Sequence, residues 1–415
     1  MAHQFAHRAG HLHCEGVPAR RLAEELGTPL YVYSRSAILE RYRAFRDAFA
    51  ALDPLIAYAV KANGNLGVLR LLASEGAGAD IVSGGELRRA LAAGVPAERI
   101  VFSGVGKTEA ELAEALDAGI YGFNVESAGE LRALARVAAG RGRRAPFAVR
   151  VNPDVEADTP HHYTRTGHGA SKFGVAVAEA PELYRVAAAD PALEVRGVSV
   201  HIGSQITEPA PFARALRRVA ELVDELREGG IELTYLDVGG GFGVPYAEEP
   251  AAAPAEFAAV LTGPLAATGL RPVLEPGRII VGPAGLLLTR VLYVKQNGGR
   301  TFVITDAGMN DLMRPSHYEG YHRVEAVDQA SDREPASVDI VGPVCESGDF
   351  LALDRVLARP EEGDLLAIRT TGAYGFSMAS SYNSRPRPAE ALVDGDRIEV
   401  VRRRETYDDL ILHEA

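Results

Sequence analysis

The chain has 415 residues, 47% apolar and 24% charged, the composition of an ordinary globular protein long enough for two domains. Its 44 basic and 56 acidic residues give a formal net charge of −12, which argues against a nucleic-acid-coating role. No run approaches membrane-spanning length, so no membrane partner is expected, and Cys14 and Cys345 cannot build a disulfide framework.

The opening residues, MAHQFAHRAGHLHCEG, lack the apolar core of a signal peptide, and a cytoplasmic location is the expectation. His3, His7, His11 and His13 crowd beside Cys14, but their spacing matches no closed ligand set and no metal is assigned. Short apolar or β-branched runs then recur along the chain. They are LIAYAVKA (55–62), GADIVS (78–83), RIVFSG (99–104), YGFNVES (121–127), PFAVRVNP (146–153), VRGVSVHIG (195–203), YLDVGGG (235–241) and RPVLEPGR (271–278). Between them lie alanine- and leucine-rich stretches with apolar residues at three- and four-residue spacing, several ending in glycine as helices do. Eight strands alternating with helices over roughly 250 residues predict a (β/α)8 barrel. A doubly wound open sheet is the competitor, but no G-x-G-x-x-G opens any of the helices.

The polar, glycine-punctuated stretch 151–174 reads as a loop over the barrel mouth, and its His161, His162 and His168 as solvated loop residues. From about residue 280 the texture changes. Asn297-Gly298-Gly299 is a turn signal between two strand-like runs, and ASVDIVGPV, LALDRVLA, DLLAIRTTGAY and DRIEVVRRRE continue without helical periodicity. A β-rich second domain, a sandwich or barrel, is expected there.

Chemistry in a barrel of this kind sits where strands give way to the following loops. The first strand ends in Lys61, the sixth in His201 and Ser204, the seventh in DVGGGFG (237–243) and the eighth in Glu275 and Arg278. Each has a bland reading: a solvated lysine, a hydrogen-bonded core histidine, a tight turn, a simple ion pair. Together they suit one molecule. Bare peptide N–H groups at residues 239–241 suit a phosphate, Glu275 a protonated ring nitrogen, Lys61 an aldehyde and His201 a ring face. Those features meet in pyridoxal 5′-phosphate, held by Lys61 as a Schiff base.

YAVKAN (58–63), HIGSQ (201–205), GGGFG (239–243), EPGR (275–278), CESGD (345–349) and GAYG (372–375) resemble, in family order, the alanine-racemase-fold pyridoxal-phosphate-dependent decarboxylases. The similarity runs from LGTPLYVYS (26–34) to residue 390. The resemblance implies a pyridoxal-phosphate-binding barrel over 36–278, with 1–35 and 279–415 in a β-domain that contributes to an active site at a dimer interface. It implies that Lys61 carries the cofactor and His201 stacks on its ring. Ser204, Gly240, Gly241, Gly277, Arg278 and Tyr374 would hold the phosphate, and Glu275 the pyridine nitrogen. CESGD would come from a second subunit of a homodimer, with Cys345 as proton donor and Glu346 touching the amino-acid substrate.

The substrate position of the family falls on MNDLMRPSHYEGYH (309–322), which supplies Arg314 and Tyr318 beside Arg278 and Tyr374. A second arginine suits a distal carboxylate and has little use toward ornithine or arginine. The resemblance therefore implies decarboxylation of meso-2,6-diaminopimelate to L-lysine and carbon dioxide. A carboxynorspermidine-type or carrier-linked decarboxylase is the nearer alternative. An amino-acid racemase, which usually sets an arginine at the ring nitrogen, is the more distant one because Glu275 makes the stronger electron sink.

Overall fold

The run LIAYA carries no polar residue because a strand covered on both faces has no solvated side. In the computed structural model, which describes residues 4–155, 172–329 and 333–414, it forms β1 (Leu55–Ala59), buried at every position. The parallel strands β2 (Gly78–Ile81), β3 (Ile100–Phe102), β4 (Gly122–Val125), β5 (Ala145–Asn152), β6 (Leu193–Val200), β7 (Tyr235–Asp237) and β8 (Arg271–Leu274) follow. Each pairs with its sequence neighbours, and β8 pairs back onto β1, with Val273 opposite Leu55. That last ladder closes the barrel and excludes the open sheet. Leu55, Ala57, Val101, Ala148, Tyr235 and Val273 fill its interior, five of the six from odd-numbered strands, as stacked barrel layers require.

The helices begin at written signals. SGGE (83–86), TEAE (108–111) and SAGE (127–130) each accept the N–H three residues on with the leading hydroxyl. They open α1 (Gly84–Ala92), α2 (Glu109–Ala118) and α3 (Ala128–Gly140), and each cap is worth about 1 kcal/mol. The barrel belongs to a unit made of Tyr42–Val244 and Pro250–Ile279.

The other unit comprises Met1–Arg41, Pro245–Glu249 and Ile280–Ala415 and is mainly β. Its long strand β9 (Gly285–Asn297) turns through Gly298-Gly299, both at positive φ, into the antiparallel β10 (Arg300–Thr305). Strands β11 (Pro335–Val341) and β12 (Phe350–Ala358) extend that sheet, and β13 (Leu365–Arg369) pairs with the first half of β9. The N-terminal segment is taken up here. Leu30–Ser34 lies between β9 and β14 (Ala389–Asp394), and Leu30, Val32, Leu286, Leu288, Ala389 and Ala391 form one core with period-2 alternation. Cys14 is buried in the same core, so its thiol acts as a small hydrophobe.

Of the N-terminal histidines, His7 bonds the Ala326 carbonyl at 3.0 Å and His11 bonds Asp328 at 2.6 Å. The tail YDDLILHEA is helical from Tyr407 to Ile411. Thr406 and Asp409 cap each other there, an S/T-x-x-D signal the alternation count overlooks. The central part of the 151–174 loop, residues 156–171 with His161, His162 and His168, lies outside the described residues, as does His3.

Candidate active site

A single-turn helix, Val60–Ala62, follows β1 and brings Lys61 to the strand end, its side chain one-third exposed. Its amine bonds the carboxylate of Asp80, a fully buried residue on β2. The charge emerging from the apolar run is thus matched by an acid 19 residues away, on the neighbouring strand. Lys107 offers a contrast. Its amine is fully buried and gives its three protons to the Gly104 carbonyl (2.7 Å), the Asn124 carbonyl (2.8 Å) and Glu130 (2.6 Å). Lys107 is a tie between strand ends, whereas Lys61 is open enough to react.

Glu275, just past β8, is buried in a ring of polar groups. Ser103 donates to it at 3.3 Å, Asn124 donates to Ser103 at 3.1 Å and to Asp237 at 2.6 Å, and Asp237 hydrogen-bonds Glu275. Burial, with the negative charges of Asp237 and Asp80, holds the Glu275 carboxyl well above its ordinary pKa; Lys61 opposes this. Burial likewise pushes Asp237 up to about 6, against the bonds it accepts from Asn124 and the Gly239 N–H. Each carboxyl therefore holds a proton more tightly than an ordinary one, as two buried acids in contact do. Glu86, at the start of α1, is pushed up to about 7 by burial, with Asp80 adding and Lys61 opposing.

His201 follows β6. The Gly240 N–H donates to its Nδ1 at 3.1 Å, which leaves the ring proton of the neutral form on Nε2. Burial, then the charges of Arg150 and Lys61, pull its pKa well below the usual value, so the ring is uncharged. Arg150 is itself bonded to Glu126 at 3.1 Å, and Glu126 also accepts the N–H groups of Gly104 and Gly174 at 3.0 Å each.

The glycine run is dictated by close approach. A Cβ on Gly240 would sit 2.2 Å from the Glu275 carbonyl oxygen, and one on Gly241, whose φ is +97°, 2.1 Å from that of Gly203. Gly277 packs against Ala59 and Ala62, and Arg278 donates to the Ser204 hydroxyl at 3.2 Å. The N–H groups expected to be bare at 239–241 are partly taken: Gly239 donates to Asp237 Oδ1 at 2.9 Å and Gly240 to His201 Nδ1 at 3.1 Å, so these two glycines contribute close approach of the backbone rather than free donors.

The remaining sequence candidates lie in the β unit. Arg314 opens a short helix ending at Tyr318 and is 7% exposed. Its guanidinium lies 4.2 Å from the Tyr246 ring centroid and bonds His322 Nε2 at 2.7 Å, while His322 Nδ1 bonds the Arg369 carbonyl at 2.8 Å. The imidazole accepts from Arg314 and donates to Arg369. Cys345 and Glu346 are exposed, the former anchored by its N–H on Asn383 Oδ1 at 2.8 Å. Tyr374 holds φ +55°, a strained value for a bulky residue.

Residues 35–282 match the family model described as "Pyridoxal-dependent decarboxylase, pyridoxal binding domain". The chain belongs to the pyridoxal-dependent decarboxylase family. It is 52% identical over 403 residues to a diaminopimelate decarboxylase of Neisseria meningitidis, covering 97% of both chains. With the enzyme of that name from Pseudomonas aeruginosa it shares 51% over 411 residues, 99% of this chain and 98% of the other. The structure of diaminopimelate decarboxylase from M. jannaschii in complex with L-lysine superposes with a TM-score of 0.94 at 39% identity, covering 99% of this chain and 97% of that one.

The barrel residues fit the cofactor of this family. A reactive amine, an uncharged imidazole and a buried acid lie at strand ends beside side-chain-free backbone. Asp80 Oδ1 is buried with no hydrogen-bond partner among the described residues, an acceptor left over on the carboxylate that faces Lys61. Sequence reasoning missed Asp80, Asp237, Asn124, Lys107 and His322. The available signal for the first three was a polar residue inside an otherwise apolar strand, in GADIVS, YLDVGGG and YGFNVES.

Proposed function

We propose that this chain decarboxylates meso-2,6-diaminopimelate at its D-configured centre, releasing carbon dioxide and L-lysine, with pyridoxal 5′-phosphate as cofactor. The observation that carries the reading is identity of about half the residues, over essentially the whole of both chains, with two diaminopimelate decarboxylases. The relative solved with L-lysine supports the product assignment. When bound, the cofactor supplies an electron-poor ring that takes up the electron pair left by the departing carboxylate.

Lys61 would hold the cofactor through its amine, and Glu275 would keep a proton on the ring nitrogen. Uncharged His201 would cover a ring face without opposing that positive charge. Ser204, Gly240, Gly241, Gly277, Arg278 and Tyr374 would bind the phosphate. Arg278, Arg314, Tyr318, Glu346 and Tyr374 would bind substrate, Arg314 offering its cation to the distal carboxylate. It is bonded to an imidazole, which leaves the positive charge uncancelled at that contact. Cys345 would return a proton to the reacting carbon. Its exposure supports a shared-site homodimer in which the β-domain of residues 1–35 and 279–415 completes the site of a partner. Two cysteines outside any disulfide support a cytoplasmic setting.

The test is carbon dioxide release by the purified chain with added cofactor, comparing meso-diaminopimelate with lysine, ornithine and arginine. Turnover of diaminopimelate should exceed the others by orders of magnitude. Faster turnover of any basic amino acid overturns the substrate assignment.

A further inference from the structure

Two segments of the β unit carry residues assigned above to substrate. One is the 342–349 loop with Cys345 and Glu346; the other, 307–314, leads to Arg314. One carboxylate joins them. Asp349 is 5% exposed, and its Oδ1 accepts the Met309 N–H at 2.6 Å while its Oδ2 accepts the Val344 N–H at 2.6 Å. The loop also closes on itself. The Gly342 N–H donates to the Asp349 carbonyl at 3.2 Å, the Asp349 N–H to that of Glu346 at 3.1 Å, and the Glu346 N–H to that of Val344 at 2.8 Å.

The two backbones press on the carboxylate from both sides. A Cβ on Gly342 would meet the Gly308 Cα at 2.4 Å and both Asp349 oxygens at 2.5 Å, and one on Gly308 would meet Asp349 Oδ1 at 2.9 Å. Neither position has room for a methyl group. Burial raises the Asp349 carboxyl above its ordinary pKa while the N–H groups of Met309 and Val344 draw it down, and those two short bonds tie the two segments to one side chain.

We propose that Asp349 is a positioning residue, which registers the Cys345–Glu346 loop against the segment bearing Arg314 so that proton delivery and carboxylate recognition depend on one clamp. The proposal rests on the roles given to Cys345 and Arg314 above. Asparagine at this position conserves volume but has one acceptor oxygen and turns an NH2 group toward the second N–H. It should release one segment while leaving the fold intact.

The experiment uses full-length Asp349→Asn and Asp349→Ala chains with Cys345→Ala as reference. Backbone hydrogen exchange is followed in peptides containing Met309 and Val344, together with steady-state kinetics on meso-diaminopimelate. Exchange should quicken at one or both amides. In the same variants kcat should fall and KM rise, each by about tenfold, since a misplacement near 1 Å can cost up to about a hundredfold. Cys345→Ala should lower kcat alone. If the alanine variant does not fold, the asparagine variant decides. Unchanged exchange at both amides, or faster exchange with unaltered kcat and KM, overturns the proposal. Should Cys345→Ala leave kcat intact while the Asp349 variants still exchange faster and raise KM, the role of Cys345 falls and the clamp stands.

Discussion

Both units bury charged groups, but they place their candidate residues differently. The barrel gathers charge inward: Lys61 on Asp80, Lys107 on Glu130, Arg150 on Glu126, and Asp237 with Glu275, each with at least one partner almost fully buried. The β unit offers two of its candidate residues, Cys345 and Glu346, to solvent on a loop that is braced from behind by Asp349. A buried constellation can hold a cofactor without help. An exposed thiol beside an exposed carboxylate gains a defined chemistry only when another surface covers it, which is the basis for the shared-site dimer proposed above. The difference teaches that holding the cofactor and acting on the substrate are separable, and that variants in the two units should fail differently.

The largest effect is expected at Lys61. Lys61→Ala should lose the visible cofactor absorbance and nearly all turnover. Because breaking a buried ion pair costs about 3–5 kcal/mol, Lys61→Arg, which can keep a cation on Asp80, serves as the folded control. It too should lack turnover. Normal turnover in either variant would erase the distinction between Lys61 and the other lysines.

An intermediate effect is expected at Cys345. Cys345→Ala should keep the cofactor and slow product formation by about 10²–10⁴-fold, the usual contribution of a general acid. Mixing it with Lys61→Ala should restore some activity, since a hybrid dimer would contain one intact site. No recovery after verified subunit exchange would contradict sharing, and unchanged kinetics in the single variant would reduce Cys345 to packing.

The smallest effect is one of stability in the cofactor-free chain. Asp237 is pushed up to about 6 in the fold, above its ordinary value of 3.8, so the folded state binds more protons than the unfolded state in between. The stability tied to that proton is present at low pH and lost as pH rises through about 6. Asparagine does not ionise. Asp237→Asn should therefore gain stability relative to the parent between pH 4 and pH 8, by about 1–3 kcal/mol after the loss of one hydrogen bond. Unfolding midpoints across that range check the sign. A difference independent of pH would mean that burial does not raise the Asp237 carboxyl.

The eight strands were legible because each is an apolar run bounded by turn residues, and the intervening helices because their apolar residues recur at three- and four-residue spacing. Lys61, His201, Glu275 and Arg278 could be read because a charge or imidazole at the end of such a run breaks its own pattern. The polar ring behind Glu275 could not. Ser103, Asn124, Asp237 and Glu275 come from four strand ends, and only closure of the barrel brings them together. Arg314, Cys345 and Tyr374 carried no periodic signal and were found through motif resemblance. His322, which fixes the Arg314 guanidinium, had neither signal.

Borohydride reduction of the cofactor-loaded chain, followed by proteolysis and peptide mass mapping, tests the central claim directly. The account predicts a reduced pyridoxyl group on the peptide containing Lys61 and on no other. A label on Lys107, Lys172 or Lys295 with Lys61 unmodified would contradict it.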